Sequence, residues 1–163
     1  MRVFLVLLMI AVFALADAYT DGLAAANRGD WQEAVKQFTQ ATKQNPKNAK
    51  AYYFRSLSYA ELGDLSKAIE DLTQLIKIEP NNTDAYNFRG NLYRHLGDRS
   101  KAIADFTQAI KIDPNFVRAY NNRGASYAYR GDFKKAEQDA KKACDLGDCD
   151  LLQELKDDGK ISD

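Results

Sequence analysis

Two hydrophobic patterns divide the chain. The first is an unbroken apolar run of 14 residues, Val3–Ala16, preceded by Arg2 and ending in the small-residue site Ala14-Leu15-Ala16. A positive start, a short apolar stretch and a small-residue end have the form of a secretory signal peptide. Residues 1–16 are therefore expected to be removed, with cleavage before Asp17 and Tyr19 as the second choice. The run is shorter than the roughly 20 residues a spanning helix needs, so retention as a membrane anchor is the alternative. From Asp17 onward the pattern changes. Apolar positions such as Ala68, Ile69, Leu72, Leu75 and Ile76 recur three and four residues apart, the spacing of one face of an amphipathic helix.

That second pattern repeats with a fixed step. Pro46, Pro80 and Pro114 are 34 residues apart, and Gly-Asp pairs begin at Gly29, Gly63, Gly97 and Gly131 on the same step. Ala34, Ala68, Ala102 and Ala136 keep it, as do Tyr52, Tyr86 and Tyr120 and then Tyr59, Tyr93 and Tyr127. A period of this size, set by several residue types at once, signals an array of supersecondary units. Gly is suited to end a helix in the left-handed conformation, and the Asp after it can cap the next helix. Pro cannot continue a helix and so marks the exit from the second one. The punctuation predicts helix pairs at 18–28/31–44, 49–62/65–78, 83–96/99–112 and 117–130/133–146.

These residues resemble the tetratricopeptide repeat motif. The third repeat, 83–116, supplies Tyr86, Gly90, Tyr93, Ala102, Phe106, Ala109 and Pro114 at the motif positions. The second, 49–82, has Ser56, Leu72 and Leu75 at three of them, and the fourth, 117–150, has Asp148 where Pro is expected. The first, 17–48, is shortened by the signal segment. The resemblance covers 17–150 and implies an all-α, right-handed superhelical solenoid of about four helix-turn-helix repeats. A further amphipathic piece follows in 151–163, where Leu151, Leu152 and Leu155 are expected to form a capping helix, as the end of a solenoid requires.

Two pairings stand out against the repeat. Position 7 is Arg55, Arg89 and Arg123, and position 23 is Asp71, Asp105 and Asp139, whereas the first repeat changes both together to Asp21 and Gln37. An Arg–Asp contact is predicted between the two helices of each later repeat, as a structural fastener rather than a catalytic pair. Cys144 and Cys149 lie five residues apart around Gly147. In an exported chain such a pair is read first as a disulfide, tying the capping helix to repeat four in place of the missing Pro. Two reduced thiols are the alternative. The spacing is not that of a Cys-x-x-Cys redox site.

Composition removes several function classes. Lys and Arg total 23 against 23 Asp and Glu, so the electrostatic surplus expected of a nucleic-acid binder is absent. Removal of the signal segment takes Arg2 and leaves a net charge of −1. His95 is the one histidine, which excludes metal sites built on several imidazoles. No phosphate-cradling, dinucleotide or nucleophile-elbow motif occurs. No cofactor, metal or catalytic group is expected, and the chain is not expected to be an enzyme.

What remains is a surface. The resemblance implies that ligand peptides lie in the concave groove lined by the first helix of each repeat. The groove candidates are Tyr53 and Leu57 in repeat two, Asn87, Asn91 and Arg94 in repeat three, and Arg118, Asn121 and Tyr129 in repeat four. Exposed Asn side chains there are expected to bond a peptide backbone, with Tyr and Arg as anchors. Some members of the family clamp the terminal carboxylate of chaperone tails. The corresponding positions here hold Tyr53, Leu57, Phe88, Arg118 and Asn122, of which only the last two suit a carboxylate, so a chaperone-tail adaptor is not expected. The expected function is a non-enzymatic, periplasmic or secreted scaffold for a protein or peptide partner. The alternative is a self-associating or membrane-anchored scaffold that keeps its N-terminal segment.

Overall fold

The computed structural model describes residues 18–162, so the expected signal segment lies outside the described residues. Nine helices account for the described chain: α1 over 18–27, α2 Trp31–Gln44, α3 Ala49–Glu61, α4 Leu65–Ile78, α5 Thr83–His95, α6 Arg99–Ile112, α7 Val117–Tyr129, α8 Phe133–Asp145 and α9 Asp150–Asp157. The fold is all-α, a repeat of helix hairpins closed by a C-terminal helix. The chain divides into two compact units, one ending at Pro80 and one beginning at Asn81. No helix of the described residues is long and apolar enough to cross a membrane.

The punctuation works as the local chemistry dictates. Gly29, Gly63, Gly97 and Gly131 all have φ between 75° and 81°, the left-handed region that only Gly enters without cost. Each following Asp accepts a hydrogen bond from the backbone N–H three residues on, at 3.2 Å for Asp30 and Asp64, 3.1 Å for Asp98 and 3.4 Å for Asp132. Asn48 and Asn82 cap α3 and α5 in the same way, a signal that their 34-residue spacing carries. Phe116 takes that place before α7 and provides no side-chain cap. The first helices of the pairs stop one residue earlier than the punctuation predicted, because Leu62, Leu96 and Arg130 are the capping residues themselves. Leu146 does the same for α8.

In the first unit, α1 and α2 enclose Ala25, Ala34 and Phe38, with Tyr19 and Phe54 packed on them. In the second unit one core cluster gathers Ala102, Phe106, Ala109 and Ala119, and another gathers Ala136, Ala140, Leu151 and Leu155. Small and large residues alternate across each hairpin. A Cβ built on Gly22 would lie 2.6 Å from the Phe38 ring, and one on Gly90 would lie 2.6 Å from the Phe106 ring. In the second repeat Ser56 stands at the Gly position and Leu72 at the Phe position, and both are fully buried. In the fourth, Ala140 leaves the large position short, and Leu151 from α9 reaches within 2.7 Å of where a Gly124 Cβ would be. The C-terminal helix thus supplies from outside the repeat the bulk that its own second helix lacks.

The Arg–Asp residues form three nearly identical forks. Arg55 donates from Nε and Nη2 to Asp71 at 2.7 and 2.6 Å. Arg89 does so to Asp105 at 2.8 and 2.8 Å, and Arg123 to Asp139 at 2.8 and 2.7 Å. Side-chain exposure is 15–17% for the arginines and 6–9% for the aspartates. Burial pushes the Asp71 carboxyl above its ordinary range, against the pull of the Arg55 fork. Each guanidinium also lies over a tyrosine ring, Tyr52 at 5.4 Å, Tyr86 at 5.6 Å and Tyr120 at 5.8 Å, which explains why Tyr and Arg keep the same step. Arg55 reaches Thr39 and Thr42 of α2 as well, and Arg123 reaches Thr107 of α6, so the fork joins a hairpin to the helix before it.

Cys144 and Cys149 are joined in a disulfide with Cα atoms 4.0 Å apart. Gly147, at φ 103°, turns the chain between them. Asp148, in the place of the missing Pro, accepts from Asn121 Nδ2 at 2.6 Å, so α9 is held to the fourth hairpin by a covalent bond, a hydrogen bond and Leu151.

Candidate interaction surface

The groove candidates fall into two sets. In the first unit Tyr53 and Leu57 are half-buried on α3, and the Tyr53 ring packs edge-on against Phe54 at 5.5 Å. In the second unit six candidates lie on α5 and α7, and the structure gives them unequal freedom.

Asn87 is not an exposed peptide ligand. It is 7% exposed, and its Oδ1 accepts from Asn122 Nδ2 at 2.9 Å. The two asparagines sit 35 residues apart on neighbouring first helices, so they bond each other where a peptide would otherwise be read. Asn121 is likewise committed through its bond to Asp148, and its Oδ1 is buried without a partner. Asn91 is half-buried and accepts from Arg94 Nη2 at 3.2 Å. The expectation that exposed asparagines here bond a peptide backbone is corrected for Asn87, which is buried, and for Asn121, which is half-buried and bonded to Asp148: both are engaged within the unit. Arg118 pairs with Asp84 at 2.6 Å with both side chains well exposed, and lies over the Phe116 ring at 4.9 Å. Arg118 and Asn122, the two residues suited to a chaperone-tail carboxylate, are therefore both engaged within the unit.

Arg94 and Tyr129 remain, and the structure brings them together. Tyr129, at the end of α7, is 74% exposed. The guanidinium carbon of Arg99, the first residue of α6, lies 3.5 Å from the centre of its ring. Arg94, His95 and Arg99 face Ala125, Ser126 and Tyr129 around a cavity of about 170 Å³. A second cavity of about 380 Å³ adjoins it, sharing Arg94, Ala125 and Tyr129 and walled by Ala128, Phe133, Leu151 and Leu155. Glu154, Asp158 and Lys160 stand on its α9 side. The exposed Tyr129 ring thus lines both cavities, together with small residues of α7.

Sequence reasoning found Arg94 and Tyr129 but missed Arg99 and the contribution of α9. Arg99 opens a second helix, and the resemblance directs attention to first helices. The leucines of α9 were legible as a cap, and the same side chains line the larger cavity.

Comparison with known proteins places this geometry. A tetratricopeptide repeat family model matches residues 19–83, a TPR repeat model matches 90–131, and a further tetratricopeptide repeat model matches 117–147. No curated protein matches the chain. Among solved structures, YrrB, described as a TPR protein with an unusual peptide-binding site, is similar with a TM-score of 0.78 and 24% identity, covering 88% of this chain and 74% of its own. MamA from Desulfovibrio magneticus RS-1 is similar with a TM-score of 0.75 and 25% identity, covering 81% and 75%. The first TPR of Spaghetti (RPAP3), bound to the HSP90 peptide SRMEEVD, has a TM-score of 0.67 and 21% identity, covering 71% and 92%. At these identities the likeness is one of fold.

Proposed function

The chain belongs to the tetratricopeptide repeat family, and on that premise we propose that it is a non-catalytic, exported scaffold that binds a protein segment on the α5–α7 face. One observation carries this reading: an aromatic side chain exposed to 74%, braced by a guanidinium at 3.5 Å, between two adjoining cavities. Tyr and Arg are, with Trp, the side chains enriched among interface anchors, and a ring held by a neighbour loses little freedom on binding. The peptide held by the RPAP3 repeats and the peptide site described for YrrB supply precedent on the same fold. The disulfide supports an oxidising compartment, in keeping with the signal-like run at Val3–Ala16.

Selection of a random peptide library on the purified protein tests the scaffold reading, with Tyr129→Ala as the counter-target. Sequences enriched on the parent protein are expected to be lost on Tyr129→Ala, whose circular dichroism stays unchanged because the ring is exposed. Enrichment that survives this change, and Arg94→Gln as well, would place binding on another face.

A further inference from the structure

We infer that the α5–α7–α9 end of the second unit takes a segment carrying an acidic side chain a few residues from a large apolar one. The inference rests on the scaffold reading and adds the chemistry of the partner.

The smaller cavity is lined by Arg94, His95 and Arg99 and by no carboxylate. Among the described residues neither arginine takes part in an ion pair. The Nε of Arg94 is buried without a partner, although its Nη2 bonds Asn91. The Arg99 guanidinium is pinned against the face of Tyr129, and it donates one long hydrogen bond, 3.4 Å, to the Gly97 carbonyl. This differs from the forks elsewhere in the unit, where Arg89 and Arg123 each meet a carboxylate through two short bonds. A guanidinium held by stacking keeps its N–H edge directed and free, the arrangement that receives a carboxylate with two parallel bonds.

The larger cavity has the opposite character. Ala125, Ala128, Phe133, Leu151 and Leu155 give it apolar walls, and its volume of about 380 Å³ is within the range of ligand pockets. Glu154 and Asp158 stand on its α9 side with Lys160, and Arg94 lines it as well, so its charges balance and its apolar walls decide what it takes. The surface therefore passes from basic at Arg94 and Arg99 to a charge-balanced apolar pocket beside α9. A basic segment would meet repulsion at the smaller cavity, and a purely acidic one would leave the apolar walls unfilled. An acid followed by a bulky apolar residue suits both.

The test uses fluorescein-labelled synthetic peptides in a Gly/Ser frame, one with an Asp-Glu pair followed by Phe-Leu, one with Lys for the acids and one with Ala for the apolar residues. Fluorescence anisotropy should show saturable binding of the first alone. The Arg94→Gln and Arg99→Gln variants should each weaken it about tenfold, the loss expected for a charge-assisted bond. Raising salt from about 0.05 to about 0.5 M should weaken it further. Arg99→Lys should keep less affinity than the parent and more than Arg99→Gln, separating charge from fork geometry. Unchanged melting of each variant shows that the fold is intact. Binding of the Lys peptide as tight as that of the acidic one, or affinity indifferent to both arginines, overturns the inference. Where such binding still depends on Tyr129, the scaffold reading stands without it. Failure of the acidic peptide to bind also overturns the inference, and the library selection then decides the scaffold reading by itself.

Discussion

At Gly90 the absence of a Cβ is a packing requirement rather than a conformational one, because the Phe106 ring occupies the space at 2.6 Å. Gly90→Ala forces a fully buried ring to move within a close-packed core, which costs about 1–3 kcal/mol. The second repeat shows what relieves it, since Ser56 faces Leu72 there. Phe106→Leu in the Gly90→Ala background should therefore recover part of the lost stability, although Phe106→Leu alone destabilises by opening a void. Thermal melts of the two single variants and the double variant give the coupling directly. Strict additivity would show that the two positions do not compensate. The forks obey a different rule. Removing Asp139 leaves Arg123 charged and largely buried, and loss of one partner of such a pair costs about 3–5 kcal/mol. Asp139→Ala should thus destabilise more than the Arg123→Leu/Asp139→Leu double variant, in which no buried charge is orphaned.

At the level of elements, α9 does two jobs that share one side chain set. Leu151 and Leu155 close the last hairpin, and they also wall the larger cavity. Leu151→Ala should cost about 2–5 kcal/mol as a buried large-to-small change. Reduction of the Cys144–Cys149 bond releases a short loop, for which chain entropy gives about 2 kcal/mol. Hydrogen exchange should then show faster opening of Asp150–Asp157 under reducing conditions while α5 and α6 stay protected. Equal protection with and without reductant would mean that Leu151 and the Asn121–Asp148 bond alone hold the helix. The helices themselves were legible from the chain because their stop and start signals are local: a Gly that must adopt positive φ and an Asp one residue later. The asparagines were not. Whether Asn87 faces solvent or Asn122 depends on what lies 35 residues away, and a helix pattern records only the face, not the neighbour. Arg99 escaped notice for the same reason, since its partner Tyr129 comes from another hairpin.

For the molecule as a whole, the 34-residue step copies one electrostatic device along the chain. Asp64, Asp98 and Asp132 each cap a second helix and each bond the Lys three residues on, at 2.6, 2.8 and 2.7 Å. The lysine bond, followed by the backbone contact, holds the carboxyls of Asp64 and Asp98 below their ordinary range, and the lysine bond does the same for Asp132. A carboxyl depressed in the folded state binds its proton more readily once the chain unfolds. Its contribution is therefore complete above the unfolded value near 3.8 and is lost as pH falls through the folded one. Asp71, pushed upward by burial, works in the reverse sense and loses stability as pH rises from the ordinary value towards its own. Glu33, which its bonds from Gln37 and Lys36 hold below its ordinary range, joins Asp64, Asp98 and Asp132, and four depressed groups against one raised group predict net acid destabilisation below about pH 4. Urea unfolding at steps between pH 7 and pH 2.5 measures it. Changing Asp64, Asp98 and Asp132 together to Asn keeps the caps, because Asn serves that position as well as Asp, and removes the titrating groups. That variant should lose part of the acid slope while remaining folded at neutral pH. A slope identical to the parent's would assign acid sensitivity to carboxylates outside the repeated caps.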